Sequence, residues 1–195
     1  MNVGGYDVLR ETAGGLMLRL LGLSLIVIAP IVLIAAQGGR VIGRLAPVGD
    51  FPELPTSIAQ DVANRGCQIP QVKGVKARHN VIKGAFEKPG QRDWAVLCLQ
   101  KNTSTILVYW NGSAKNPAQL APLDETITPS KNGYYRILQA VGEKFIRSHY
   151  DASATDLDPL PKTLDHDGID DGIFEKGSIV HYFYNGTWLN LAGSD

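Results

Sequence analysis

One long uncharged stretch near the start of the chain constrains it more than any other feature. Between Arg19 and Arg40, residues 20–39 include no charged side chain and are mostly Leu, Ile, Val and Ala. A helix that spans a bilayer needs about 20 predominantly apolar residues, and this stretch is just long enough. The sequence therefore predicts an N-terminal hydrophobic helix, a leader that carries the rest of the chain onto or across a membrane.

The leader has the parts of a cleavable signal peptide, which are a basic start, an apolar middle and small residues at the cut. Read from the internal Met17, Arg19 supplies the basic charge, and Ala36 and Gly38 supply the small residues. The sequence thus allows translation to start at Met17. Pro30 would break a long helix, as is typical near a cleavage site.

An uncleaved membrane anchor is the open alternative. Arg40 and Arg44 closely follow the apolar stretch, and positive charge just past such a segment resists translocation. Either alternative predicts a signal peptide or anchor over 1–39, a proline-containing linker over 40–56 and an extracytoplasmic domain over 57–195. We expect this domain in the periplasm, at the cell surface or secreted, or anchored in the inner membrane. An uncleaved leader would contact the membrane through residues 20–39.

Two cysteines, Cys67 and Cys98, follow the leader. An even number of cysteines behind an export signal predicts a disulfide. The bridge would join the end of a predicted helix to a predicted strand and, in the chain-entropy model, add roughly 3–4 kcal/mol to the free energy of unfolding. Two buried free thiols are the alternative.

Composition favours one globular domain behind the leader. The 195 residues are 44% hydrophobic and 19% charged, with a net charge of zero. A neutral chain has no global field to attract nucleic acid, so we expect no nucleic-acid partner. Residues 38–150 have an excess of Lys and Arg, whereas 151–195 have an excess of Asp and Glu. This asymmetry predicts that the acidic part folds back on the basic part, with a partner surface as the alternative.

Local patterns predict an α+β domain, an antiparallel β-sheet with one short packed helix, and the alternative is a mainly-β domain. The helix would begin at a capping Thr56 or Ser57, run to about Arg65 and stop at Gly66. Asn185-Gly186 predicts a hairpin turn, because both residues tolerate positive φ. Strands are predicted over 79–86, 93–100, 104–110, 178–184 and 187–191, with 134–141 and 143–150 as one bent pair around Gly142. Residues 151–175 are predicted to form a long loop.

The acidic segment is the first candidate site. Its residues are Asp165, His166, Asp167, Asp170 and Asp171. Closely spaced Asp oxygens on a glycine-containing loop suit calcium, so Asp165, Asp167, Asp170 and Asp171 are candidate ligands. The spacing departs from the EF-hand pattern, because Ile169 occupies its fifth position. His166, or His181 on a predicted strand, could instead act as a general base beside a carboxylate.

Aromatic residues form the second candidate site. Trp110 and Trp188 lie at the ends of predicted strands, where an exposed ring can stack on a sugar or a peptide. Burial in the core is the alternative for both rings.

Residues 81–97 contain the pattern G-x-F-x-x-x-G-x-x-D-W-A-V, which begins at Gly84 and places Asp93 before Trp94. This pattern resembles one hairpin of the FG-GAP or VCBS-type repeats, which form β-propellers in extracellular proteins. The resemblance implies a turn that holds calcium through several Asp or Asn ligands. Here Asp93 matches, whereas Lys88 and Arg92 stand in the turn and would repel the metal.

The domain as a whole, with a Gly-Cys pair after the helix and the acidic segment near its end, resembles exported bacterial proteins of uncharacterised function. The sequence thus predicts an exported, non-catalytic binding domain at the cell envelope, with an envelope protein, a peptide or a glycan as partner. The alternative is an extracytoplasmic hydrolase or calcium-binding module built on the segment from Asp165 to Asp171.

Overall fold

The computed structural model describes residues 43–125, 135–151, 153–173 and 176–194. The predicted leader and the start at Met17 therefore lie outside the described residues. Within these ranges the chain is mostly antiparallel β-sheet with two short helices. No helix in the described part is long and apolar enough to cross a bilayer.

The helices are α1, Thr56–Asn64, and α2, Glu143–His149. The strands are β1 Gly43–Ala46, β2 Ile69–Val72, β3 Val81–Gly84, β4 Asp93–Gln100, β5 Thr103–Tyr109, β6 Ala118–Asp124, β7 Arg136–Val141, β8 Gly168–Ile173, β9 Ser178–Tyr184 and β10 Thr187–Ala192.

Two four-stranded sheets and one two-stranded sheet organise these strands. The first sheet has the order β3-β4-β5-β6, the second has the order β10-β9-β8-β7, and β1 pairs with β2. Buried side chains from both large sheets share one apolar layer, which includes Leu97 and Ile106 of the first sheet and Leu138 and Ile169 of the second. We call this shared layer the inter-sheet layer.

The outer face of each large sheet is covered as well. Ile58 and Val62 of α1 pack on Val96 and Leu107 of the first sheet. The second sheet is covered on its outer face by α2, which contributes the buried Ile146 to a separate apolar cluster. Helix, sheet, sheet and helix therefore form successive layers, as expected when each apolar face must be buried.

The predicted disulfide is confirmed. Cys67 and Cys98 are bonded, with their Cα atoms 5.0 Å apart, and the bridge joins the chain just after α1 to β4. The predicted helix is also present, and Gly66 follows it at φ 70°. Its start differs from the prediction, because Pro55 occupies the capping position and makes no side-chain hydrogen bond.

Local turn chemistry predicted the hairpins well. Asn185 and Gly186 join β9 to β10 with φ angles of 50° and 84°, the two positive values that a tight hairpin requires. Strands β4 and β9 have the bounds predicted for them, 93–100 and 178–184. The strand predicted over 79–86 is shorter and spans only Val81–Gly84.

Two predictions were wrong. Residues 143–149 form a helix rather than a strand, and the pair between Glu143 and Arg147, four residues apart at 2.7 Å, supports it. The long loop predicted over 151–175 contains β8, which lies between β7 and β9 in the second sheet. Asp is disfavoured in strands on average, but Asp171 is held there by a partner on β7. The predicted linker also contributes to the fold, since β1 lies in it and Phe51 is buried.

Candidate functional site

The predicted acidic segment is split between a loop and a strand. Asp165, His166 and Asp167 precede β8, whereas Asp170 and Asp171 lie within it. Neighbouring strand residues point to opposite faces of their sheet, so Asp171 lies on the face of the inter-sheet layer and Asp170 on the face covered by α2. The five residues therefore do not converge on one concave site.

Asp165 and His166 form a contact of their own. His166 Nδ1 lies 2.7 Å from Asp165 Oδ1, and Nε2 lies 2.8 Å from the carbonyl oxygen of Phe183. The hydrogen bond from His166 lowers the pKa of Asp165, whose carboxylate is exposed. The imidazole itself is buried and stacks on the Tyr182 ring at 4.3 Å. His166 thus bridges the acidic segment to β9.

Asp167 fastens this segment to the β3–β4 hairpin. Its Oδ2 accepts a hydrogen bond from the Ala85 N–H at 2.9 Å, and its own N–H donates to the Ala85 carbonyl at 2.8 Å. A Cβ on Gly84 would lie 2.5 Å from the Phe86 ring, so only glycine fits at this close approach. The carboxylate of Asp167 therefore has a structural role between the sheets.

Asp171 belongs to a buried ion pair at one end of the inter-sheet layer. Its oxygens accept hydrogen bonds from Arg136 Nε at 3.0 Å and Nη2 at 2.6 Å, and His181 Nε2 lies 3.4 Å from Oδ2. Burial raises the pKa of Asp171, but the hydrogen bonds and charges of His181 and Arg136 outweigh burial and lower it. The carboxylate is thus ionised and fully engaged.

Arg136 connects the two large sheets. Its Nη1 donates to Ser104 Oγ at 2.7 Å and to the Ala121 carbonyl oxygen at 3.1 Å, both on the first sheet. Its Nε and Nη2 bind Asp171 on the second sheet. The side chain is only 5% exposed, and a buried charge needs such partners.

Asp170 is the least satisfied acid of the segment. The residue is 3% exposed, and its Oδ1 lacks a hydrogen-bond partner among the described residues. Burial raises its pKa, a hydrogen bond with Ser178 opposes that shift, and the charge of Asp171 adds to it. A Cβ on Gly193 would lie 2.9 Å from Oδ1, so the end of the chain past β10 covers this carboxyl.

The described ranges contain no group of three or more His, Cys, Asp or Glu side chains arranged to hold a metal ion. Asp93, the residue that matches the calcium turn of the FG-GAP or VCBS-type repeats, is fully buried in the β3–β4 hairpin. Its oxygens accept hydrogen bonds from the N–H groups of Phe86, Glu87 and Asn111 and from the Gln91 side chain. N–H donors therefore occupy this carboxylate.

The two tryptophans of the second candidate site, Trp110 and Trp188, contact each other. Trp110 and Trp188 stack with ring centroids 5.8 Å apart, although Trp110 directly follows β5 of the first sheet and Trp188 lies on β10 of the second. Phe183 contacts both rings, at 5.3 Å and 5.2 Å. All three rings are half-buried and pack at the margin of the inter-sheet layer. The tryptophans stack on each other, so one face of each ring is covered within the protein.

A cleft of about 320 Å³ opens between the sheets at the Arg136–Asp171 pair. Its walls are mainly apolar, with Pro122 and Leu123 on β6 facing Ile173 and Ile179 of the second sheet. Ile179 is 41% exposed and is, with Tyr150, one of two exposed large hydrophobic residues in the described part of the chain. Mostly apolar walls around a few oriented polar groups are typical of ligand sites. We call this cavity the inter-sheet cleft.

Backbone strain lies in the wall of the inter-sheet cleft. Ala121 has φ 45°, in the left-handed region that disfavours a residue with a Cβ. Its carbonyl accepts the hydrogen bond from Arg136, and the register of β5 with β6 shifts between Leu120 and Leu123, across this residue. Such strain persists only where surrounding contacts enforce it, and it is concentrated at functional sites.

Sequence reasoning missed Arg136 and the walls of the cleft. The arginine lies two residues before Leu138 on the same strand face, a charged position in an otherwise apolar pattern, and this was the available signal. Ile179 carries no comparable signal, because alternation in β9 does not reveal which face another sheet covers.

Comparison with known proteins finds no similarity to report, since no protein family, no curated protein and no solved structure matches this chain.

Proposed function

We propose that this protein is an exported, non-catalytic binding domain whose inter-sheet cleft takes an apolar side chain from a protein or peptide of the cell envelope. The observation that carries the proposal is the cleft itself, with its apolar walls and the exposed Ile179. Covering such a side chain removes apolar surface from water, which favours binding.

The floor of the inter-sheet cleft supports an apolar ligand group rather than a charged one. Both oxygens of Asp171 are bound by Arg136, and Nη1 of Arg136 reaches Ser104 and Ala121. Because this ion pair is already satisfied, a ligand needs no counter-charge to enter. A polar ligand group would have to compete with these internal hydrogen bonds.

The acidic segment supports binding over hydrolysis. Asp165 is paired with His166, Asp167 with Ala85, and Asp171 with Arg136. A general base needs access to a substrate proton, whereas the oxygens of these carboxylates are engaged by groups of the fold itself. We accordingly assign these residues to the fold, and we place the domain in the α+β class because each helix covers one outer sheet face.

Export is supported by the predicted leader and by the disulfide. Bonds such as Cys67–Cys98 persist in oxidising compartments and are rare in the cytosol. Leader and disulfide therefore favour the same extracytoplasmic compartment.

A random 12-residue peptide library displayed on phage tests the binding proposal with the full chain as bait. We expect enriched peptides to share one large apolar residue, and Ile179→Ser to abolish their binding. Tyr150→Ser is the matched control, because Tyr150 is 39% exposed and lies outside the residues that line the cleft.

Two results would overturn this proposal. One is equal binding of the enriched peptides to Ile179→Ser and to Tyr150→Ser. The other is that no peptide is enriched from the library while the full chain binds an oligosaccharide array. This result would instead favour a glycan partner.

A further inference from the structure

A second cavity lies beside the start of the described chain and has a different character. It measures about 290 Å³ and is lined by the first residues of β1 and by the loop that follows β2, residues 73–78. This loop contributes Lys73, Lys76 and Arg78, and β1 adds Arg44. We call the loop, which has the sequence Lys-Gly-Val-Lys-Ala-Arg, the basic loop. It shares no lining residue with the inter-sheet cleft.

Buried hydrogen bonds hold the basic loop at its base. His79 Nε2 accepts a hydrogen bond from the Val72 N–H at 2.7 Å, which closes the loop across its two ends. The buried Gln71 side chain pairs with both the N–H and the carbonyl of His79, at 3.1 Å and 2.7 Å. Gly74 turns the chain at φ 92°. The loop is therefore preorganised by hydrogen bonds at its base, to which Gln71 and Val72 of the cavity wall contribute.

Positive charge dominates the cavity. Lys73 and Lys76 are exposed, and neither makes an ion pair or side-chain hydrogen bond within the described chain. Arg78 is fixed by the Asp50 carbonyl and by the Phe51 ring, 5.7 Å away, with Glu53 at 3.9 Å. Arg44 pairs with Asp50 at 3.3 Å. The two acids thus lie on the arginine side and leave the lysines uncompensated.

The backbone of the basic loop adds donors. The N–H groups of Gly74, Lys76 and Ala77 make no hydrogen bond in the part of the chain that the structure describes, and these residues are exposed. Free N–H groups in a tight turn form concave sites for anions. Unpaired ammonium groups beside them strengthen such a site, because charge-assisted hydrogen bonds are roughly twice as strong as neutral ones.

We propose that the basic loop, together with Arg44, is a binding site for the phosphate group of an anionic ligand. A phosphate has oxygens enough to accept from the loop N–H groups and from both lysines at once. Its charge complements the uncompensated Lys73 and Lys76. Phosphate chemistry is shared by soluble phosphate esters and by the headgroups of anionic phospholipids, and the two sources differ only in what the phosphate is attached to.

Calorimetric titration of the full chain, purified in a nonionic detergent, tests this site. The probes are inorganic phosphate, soluble dihexanoyl-phosphatidylglycerol, and zwitterionic dihexanoyl-phosphatidylcholine as reference. We expect one of the two anionic probes to bind more tightly than the zwitterionic lipid. Lys73→Gln combined with Lys76→Gln should weaken this binding roughly tenfold or more.

Lys115→Gln combined with Lys144→Gln is the matched control, because it removes the same charge from two exposed lysines outside the cavity. The control variant should bind the anionic probe with the same affinity as the unmodified chain. Thermal unfolding should show that both double variants are folded. Binding of phosphate supports a soluble ester, and binding of phosphatidylglycerol alone supports a headgroup. No binding of either anionic probe, or equal weakening by the two double variants, would overturn the proposal.

Discussion

At residue 121, the backbone of β6 holds an alanine at φ 45°. Glycine adopts this region without steric conflict, whereas alanine has its Cβ close to the following carbonyl oxygen, at a cost of roughly 1–2 kcal/mol. We predict that Ala121→Gly raises the free energy of unfolding by about 1 kcal/mol. This net value is the relief of strain reduced by the extra conformational entropy of glycine in the unfolded chain. Urea denaturation measures the change.

The control for this substitution lies in the same strand. Ala118 has no positive φ, so Ala118→Gly should lower the free energy of unfolding by about 0.5–1 kcal/mol. Destabilisation of similar size by both substitutions would mean that Ala121 is not strained.

Arg136 and Asp171 form an ion pair whose side chains are only 5% and 12% exposed. Removing one partner of a buried pair leaves an uncompensated charge, which lowers the free energy of unfolding by about 3–5 kcal/mol. We predict this loss for Arg136→Met, and a smaller loss for Arg136→Met combined with Asp171→Leu, because the double variant buries no charge. Chemical denaturation of both variants measures the two losses. A loss below about 1 kcal/mol in Arg136→Met would contradict the prediction.

Asp170 and Asp165 should make opposite contributions to the pH dependence of stability. Burial raises the pKa of Asp170, so its contribution is fully present below the unfolded pKa and is lost as pH rises through the folded pKa. The hydrogen bond from His166 lowers the pKa of Asp165, so its contribution is present above the unfolded pKa and is lost as pH falls through the folded pKa.

Replacing each acid by its amide tests these signs. Relative to the unmodified chain, Asp170→Asn should gain stability as pH rises above about 4, whereas Asp165→Asn should be less stable above about pH 4 and lose that difference as pH falls below it. Thermal unfolding from about pH 2 to about pH 7 measures both trends. A common sign for the two variants would show that burial of Asp170 does not govern its titration.

Among the elements, the β9–β10 hairpin depends on its two-residue turn. Gly186 has φ 84° and open space around it, so an added Cβ meets no neighbour but strains the backbone. We predict that Gly186→Ala lowers the free energy of unfolding by about 1–2 kcal/mol.

Gly49 provides the comparison for this turn, because it is equally open but has no positive φ. Gly49→Ala should therefore change the free energy of unfolding by less than about 0.5 kcal/mol. Equal effects of the two alanines in urea denaturation would rule out backbone strain as the cause.

Whether a segment forms a helix or a strand could be predicted where its own residues favour one of them, and not where distant partners decide. Strands β4 and β9 alternate apolar and polar residues or carry β-branched ones, and their turns contain Asn and Gly. Strand β8 contains Gly168, Asp170, Asp171 and Gly172, which individually disfavour strands. It is a strand because β7 and β9 pair with it and Arg136 neutralises Asp171.

For the whole molecule, the Cys67–Cys98 bridge joins the layer of α1 to the first large sheet. Its separation of 31 residues gives about 3–4 kcal/mol of stabilisation in the chain-entropy model. We predict a loss of this size for Cys67→Ala combined with Cys98→Ala. Urea denaturation measures it, and dithiothreitol should lower the stability of the parent chain but leave that of the double variant unchanged. An effect of reductant on both proteins would contradict this prediction.

The candidate site shows which structural features residue patterns can predict and which they cannot. The sequence by itself determined the β9–β10 hairpin and α1, because each follows from neighbouring residues, and it left a single possible partner for each cysteine. It also indicated Trp110 and Trp188, which do meet. Only the tertiary structure decided that Asp170 and Asp171 face opposite sides, and that Arg136 and Ile179 border one cleft. Those relations depend on which sheet covers which strand face, and that is fixed by contacts between residues far apart in the chain.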